Sequence, residues 1–299
     1  MRGYCIAGLE VHSDIALGGS GAFDLSAVVP DIVIKCPFGP TDVAGLEQIS
    51  PVLWARTDGL ARFKLDQVCE CIIFGGRFIG IMPDPRMGDA DLRSLIMGPL
   101  MAIIGHQRGL LPLQGTCVMN GGRAILLLGP PGVGKSALAV GLERRDYNII
   151  SDDICIFYAA GDRVHLLPTM PQVKIWSDTI DALGIPQQSL TEVCGGHRRF
   201  LLRCSEPKDE LPDKISIERI LFIERGNTER PTLNEIDPAI ASSRIISSIC
   251  NLPFTDYTGL TDRQARSARL LAETTQCAIV SRRVVGDLNA QISYFEELL

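Results

Sequence analysis

Residues 129–136 read Gly129-Pro130-Pro131-Gly132-Val133-Gly134-Lys135-Ser136, an unbroken Gly-x-x-x-x-Gly-Lys-Ser pattern. A loop of that kind wraps an anion. Gly129, Gly132 and Gly134 permit backbone angles and a close approach that side chains forbid, so successive N–H groups can converge on one phosphate. A helix starting near Lys135 adds the positive end of its dipole to the same cradle. The Lys135 ammonium can reach the β- and γ-phosphates, and the Ser136 hydroxyl can sit on Mg²⁺. These eight residues, with Ala137 behind them, predict a nucleoside triphosphate site; the competing reading is a glycine-rich turn that binds nothing. The flanks favour the first, because an apolar strand at Ala124–Leu128 enters the loop and an amphipathic helix leaves it.

A second constellation stands one strand–helix–strand unit further on. The strand Tyr147–Ile150 ends in Ser151-Asp152-Asp153, and in open α/β sheets ligands bind beyond the carboxyl ends of the strands. A carboxylate there can hold Mg²⁺ or take a proton from an attacking hydroxyl. Neighbouring residues on an extended chain face opposite ways, so the two aspartates are expected to differ in role. The competing reading is a solvated turn or a helix cap. Ahead of the loop, Leu110–Met119 reads as a strand, and Asn120-Gly121-Gly122 turns it back into Ala124–Leu128. Gln114 is the side chain of that hairpin expected to line the site. Arg198, Arg199 and Arg203 form a cluster that can neutralise phosphate charge or simply stay solvated.

The elements that must position these groups follow from the hydrophobic pattern. Short strands are expected at Tyr4–Val11, Asp31–Cys36, Ala61–Leu65, Cys69–Phe74 and Arg77–Met82, with turns at Gly18-Gly19-Ser20-Gly21 and Gly75-Gly76. His12, Ser13 and Asp14 are adjacent and read as turn or edge residues, not as a nucleophile triad. Asp89 caps a helix running to about His106, which Pro99 kinks or splits. Later come Arg163–Leu167, the strand-like PQVKIW at 171–176 and a helix capped by Ser177 or Asp178 and ended by Gly184. Strands at Ser216–Ile223 and Cys277–Ser281 and a terminal helix at Asp287–Leu298 complete the reading. The chain therefore divides into a small β-rich domain, 1–90, and an α/β nucleotide-binding domain, 91–299.

Composition sets the class. The chain has 299 residues, 46% of them apolar and 21% charged, which fits folded domains and excludes disorder. A net charge of −6 without a strong basic run argues against a general nucleic-acid binder. Ten cysteines are scattered with no Cys-x-x-Cys pair, so reduced, mostly buried thiols are expected over disulfides or a metal centre. The longest apolar run, Leu95–Gly105, contains Pro99 and is too short to span a bilayer. With no signal-peptide pattern, the expected setting is the cytoplasm, away from membranes. A homo-oligomer is left open.

Together these motifs resemble the HPr kinase/phosphorylase family, whose catalytic domain is an unusual P-loop kinase. The resemblance is closer to shorter HPr-kinase-like proteins of lasso-peptide biosynthesis, which phosphorylate a serine hydroxyl of the precursor peptide. It is carried by GHQRGLLPL (105–113), the Gly129–Ser136 loop, Ser151-Asp152-Asp153 and PQVKIWSDTIDALG (171–184), with Ser13-Asp14-Ile15 and Pro30-Asp31 earlier. It implies a kinase using ATP and Mg²⁺, with Lys135 on the phosphates and Ser136 on the metal. It makes Asp152 the general base on the acceptor hydroxyl and Asp153 the metal or orientation partner. The family usually has a histidine where this chain has Gln114. Glutamine still hydrogen-bonds but carries neither proton nor charge, which bears on the strength of the base.

Two readings from different classes follow. One is a peptide or small-protein serine kinase, with a lasso-peptide precursor ending in serine as the leading acceptor and an HPr-type phosphocarrier as the alternative. The other is a non-catalytic nucleotide-gated binding protein in which Gln114 marks lost chemistry. Acceptor-dependent ADP release separates them.

Overall fold

The computed structural model describes residues 1–17, 29–39, 41–169, 172–186, 188, 190–193, 199–205, 211–212, 214–228, 230–259, 261–283 and 287–299. These form a mixed α/β protein with several sheets. The expected turn at Gly18–Gly21, Pro171 and Arg198 lie outside the described residues.

Strands β1 (Arg2–Ile6), β2 (Leu9–Ser13), β3 (Ile32–Lys35), β4 (Glu47–Ser50), β5 (Leu53–Ala55), β6 (Leu60–Leu65), β7 (Cys69–Phe74) and β8 (Phe78–Pro83) build the first sheet. Their order is β1-β2-β3-β8-β7-β6-β5-β4 among the described residues. The single strand expected over Tyr4–Val11 is two, because Ala7 and Gly8 take φ of 54° and 67° and make a two-residue hairpin turn. Gly75 and Gly76, at 60° and 65°, also turn β7 into β8, but Phe74 pairs with Phe78, so the loop has three residues, Gly75, Gly76 and Arg77, where the glycine pair implied two.

Next come α1 (Asp89–Leu95), a π-helical turn (Ile96–Leu100) and α2 (Met101–Gln107). Pro99 has no N–H to give, and the helix breaks there: Gly98 leaves helical angles, with φ −102° and ψ −107°. Buried Leu92, Ile96, Leu100 and Ile103 from this run join the core on the first sheet, and Ile154, Ile156 and Phe254 reach the same core from later in the chain.

The chain then passes through β9 (Leu111–Asn120), β10 (Arg123–Leu128), α3 (Lys135–Glu143), β11 (Asn148–Ser151), β12 (Ile154–Ala160) and β13 (Arg163–Leu167). A three-stranded sheet of β14 (Gln172–Trp176), β15 (Leu190–Val193) and β16 (Arg199–Arg203), with α4 (Ser177–Leu183) after β14, stands to one side. The rest is β17 (Ile215–Arg225), β18 (Thr232–Glu235), α5 (Pro238–Ser247), α6 (Thr255–Thr258), α7 (Thr261–Glu273), β19 (Gln276–Arg282) and α8 (Leu288–Glu296).

The central sheet runs β11-β9-β10-β17-β19-β18, with β10, β17 and β19 parallel and β9 antiparallel between β10 and β11. The first half of β9 pairs instead with β12, Gln114 opposite Ile154. Side chains alternate along β10 as the pleat requires. Ile125 and Leu127 pack toward α3 with Leu138, Leu142, Ile292 and Phe295. Ala124, Leu126 and Leu128 pack toward α5 and α7 with Ala241, Ile245, Ala268 and Leu271. A sheet covered on both faces explains the continuous apolar run that enters the glycine loop.

Among the described residues no helix is long and apolar enough to cross a membrane. The described cysteines are free thiols.

Candidate functional site

The site begins where β10 leaves the sheet. Gly129 takes φ 147°, and a Cβ there would run into the carbonyl of Ile223 on β17. Glycine is thus what lets the chain turn out of the sheet so close to its parallel neighbour. Five residues on, Gly134 takes φ 91° and caps α3, whose first residue is Lys135. The loop therefore hands its backbone N–H groups and the positive end of α3 to one spot.

Lys135 lies along the loop with its ammonium buried. Nζ donates to the Gly129 carbonyl at 2.7 Å and to the Pro130 carbonyl at 3.2 Å. Burial pushes its pKa down, while the charges of Asp152 and Asp153 pull it back up.

Asp152 is the hub. Its Oδ1 accepts from the Ser136 hydroxyl at 2.9 Å and from the Thr116 hydroxyl at 2.6 Å, and its Oδ2 accepts from the Lys174 N–H at 3.3 Å. The carboxyl is buried, and burial raises its pKa above the ordinary carboxylate range; the charge of Asp153 raises it further, against the three hydrogen bonds. Asp153 faces elsewhere. It sits at φ 68° in the turn between β11 and β12, and its Oδ2 pairs with Lys174 Nζ at 2.7 Å. A short side chain that tolerates the left-handed region suits that turn. The crevice beside it, bordered by Gly98 of the π-helical turn, holds about 10 Å³, room for a single water at most. The expectation that the two aspartates face different ways is thus met by a turn, not by an extended chain.

Beside the loop opens a cavity of about 480 Å³, the size of small-molecule sites. It is lined by Gly132, Gly134, Lys135, Ser136 and Ala137 of the loop and α3, by Trp176, Asp178 and Thr179 at α4, and by Arg282 and Leu288. Arg199 lies over the Trp176 ring at 4.1 Å. Of the expected arginine cluster, Arg199 and exposed Arg203 are in β16. Pro131 and Val133 complete the loop, with Val133 buried in the core under α3.

Among the described residues no cluster of three or more His, Cys, Asp or Glu side chains could hold a metal ion by itself. The Ser136 hydroxyl and the Asp152 carboxylate are hard oxygen donors side by side, which fits Mg²⁺, an ion usually held by one or two protein groups plus phosphates and water.

No family model matches the chain, and no curated protein matches it. Among solved structures, the Hpr(Ser) kinase/phosphatase from Coxiella burnetii is similar over 42% of this chain and 70% of its own, with 12% identity and a TM-score of 0.26. That likeness is slight.

Gln114 shares a strand face with Thr116, two residues on, yet among the described residues its side chain makes no hydrogen bond to either aspartate. Its backbone N–H donates to Ser248 O at 2.8 Å. The hydroxyl that reaches Asp152 from this strand is that of Thr116. Thr116, Lys174 and Arg282 were not legible as site residues. For Thr116 the signal was the period of two from Gln114, and for Lys174 its place in PQVKIW; Arg282 carried none.

Proposed function

We propose that this chain is an ATP-dependent kinase of the P-loop type that transfers the γ-phosphoryl group, with Mg²⁺, to a serine hydroxyl of a peptide or small protein. The sequence resemblance favours a lasso-peptide precursor as that acceptor. One observation carries the reading: a buried carboxylate, Asp152, bonded to the Ser136 hydroxyl at 2.9 Å at the start of a helix headed by a glycine-rich loop. A solvated turn or a helix cap has no reason to bury a carboxylate there.

Ser136 and Asp152 would hold Mg²⁺, which when bound would supply charge neutralisation for the transferring phosphoryl group. Lys135, swung off the Gly129 and Pro130 carbonyls, would contact the outer phosphates. Ser136 and Asp152 are the metal-side pair on contact grounds. Asp153, turned toward Gly98 and held by Lys174, is then left as the base candidate, a role that requires its narrow crevice to open and Lys174 to release it for the acceptor hydroxyl. This is the reverse of the order that the resemblance implies, and the two orders predict different mutant behaviour.

The test is acceptor-dependent turnover. With ATP, Mg²⁺ and a serine-terminated peptide, ADP should appear together with a phosphoserine product identified by mass spectrometry. ATP binding with no acceptor-dependent ADP release, across precursor peptides and an HPr-type protein, would favour the nucleotide-gated binding reading.

A further inference from the structure

Arg282, the last residue of β19, is a buried cation without an anion. It is 1% exposed and the largest fully buried side chain among the described residues. Its Nε and Nη2 donate to Gln291 Oε1 of α8 at 3.1 and 2.6 Å, and Nη1 donates to the Val133 carbonyl at 3.3 Å. Every partner is neutral, and among the described residues no carboxylate pairs with it. Burial pushes its pKa down to about 10, which still leaves it charged at neutral pH. A protein rarely buries a guanidinium against neutral partners only, because taking the charge out of water carries a large desolvation penalty. The arrangement makes sense where the missing anion comes from outside.

The cavity says where. Arg282 lines the space of about 480 Å³ that also exposes Gly132, Gly134 and Ser136. Its Nη1 would lie 2.7 Å from a Cβ at Gly134, so the guanidinium presses on the backbone of the loop at the cap of α3. Lys135 lines the same cavity and donates to the Gly129 and Pro130 carbonyls.

We propose that Arg282 is a second fixed positive charge of the anion site, approaching the Gly132–Ser136 backbone from the β19 side and binding the polyphosphate chain of a nucleoside di- or triphosphate. Gln291 is its positioning residue: one amide oxygen takes two of its N–H groups and holds the fork toward the loop. The proposal rests on the nucleotide reading above for the ligand, but its charge argument applies to any polyphosphate.

Gln291→Glu tests it without removing the arginine. A carboxylate of the same shape gives Arg282 an internal anion and a fork-to-fork pair. Thermal stability should rise, while affinity for polyphosphate should fall about tenfold, since a competing internal ion pair now satisfies the charge. Arg282→Gln, which deletes the charge, should lower the affinity at least as much. Calorimetric titrations use Mg-ATP, inorganic tripolyphosphate and adenosine on the full chain. Weakened ATP and tripolyphosphate binding with unchanged adenosine binding supports the proposal. A stabilised Gln291→Glu protein that binds ATP like wild type overturns it and leaves the kinase reading standing. Tripolyphosphate binding that is sensitive to Gln291→Glu, in a protein that ignores ATP, sinks the kinase reading and keeps the anion site. Binding of neither ligand by wild type overturns both.

Discussion

Lys135 holds its ammonium against two carbonyls of its own loop, at 2.7 and 3.2 Å, a position that a bound phosphate chain would take over. Lys135→Ala should therefore leave the fold intact and weaken Mg-ATP binding ten- to a hundredfold, the worth of about 1.5–3 kcal/mol for a charge-assisted hydrogen bond. Calorimetry with wild-type affinity in the folded mutant would remove Lys135 from the site. The paired aspartates separate two allocations. If contacts decide, Asp152→Asn raises the Mg²⁺ requirement and Asp153→Asn lowers turnover by roughly 10²–10⁴ at near-normal ATP affinity, as loss of a general base does. The opposite pattern would restore Asp152 as the base. Either role needs Asp152 ionised, and burial raises its pKa. Activity should then fall away, as pH drops, above the ordinary aspartate value of about 3.9. A kcat/KM profile still flat at that value would show that Asp152 does not titrate on the reaction path.

At the scale of elements, glycine is required for two separate reasons. At Gly161, in the turn between β12 and β13, φ is 64° and a Cβ would meet open space, so alanine costs only the left-handed backbone, about 1–2 kcal/mol. At Gly129 the same substitution adds a collision with the Ile223 carbonyl, a backbone atom that cannot turn aside. Gly129→Ala should cost about 2 kcal/mol more than Gly161→Ala and lower Tm by roughly 5 °C beyond it. Equal melting temperatures for the two variants would mean that β10 can leave the sheet by another path. The same contrast shows what sequence can reveal. Local chemistry was readable: the glycine loop, the Gly75-Gly76 hairpin, the break at Pro99 and the end of α4 at Gly184, with φ 58°. Long-range register was not. The insertion of β9 between β10 and β11 brings Thr116, not Gln114, onto Asp152, and no local pattern encodes which strands become neighbours. Short β4 and β5 escaped because EQIS and LWA carry little alternation, and Arg282 because an Arg-Arg pair at a strand end looks solvated.

Across the whole molecule, the helical run from α1 to α2 is where the first sheet meets the rest. Its buried residues share a core with Ile154, Ile156 and Phe254, and its last turn is pinned by His106. That ring is fully buried, edge-on to Phe254 at 5.6 Å between centroids. Its Nε2 donates to the Cys250 carbonyl at 2.5 Å, which leaves Nδ1 as an acceptor for the Gln264 amide at 2.9 Å. The amide also donates to the Leu110 carbonyl at 2.6 Å, while its own oxygen has no partner among the described residues, so its orientation is fixed by two acceptors. A proton on Nδ1 would face that N–H head-on. Burial lowers the His106 pKa, outweighing the raising effect of its two hydrogen bonds. The sign follows: above the unfolded value of about 6.5 both states are neutral and the contact contributes fully; below it the unfolded chain takes up the proton first. Stability is lost as pH falls from about 6.5 through the lowered folded pKa. Melting temperatures of wild type and His106→Gln between pH 8 and pH 5 measure this. The glutamine variant should be less stable at pH 8 and lose less on acidification, so the two curves converge. Curves that stay parallel would mean that His106 takes its proton inside the fold without cost, and the histidine would then not be what makes this junction acid-sensitive.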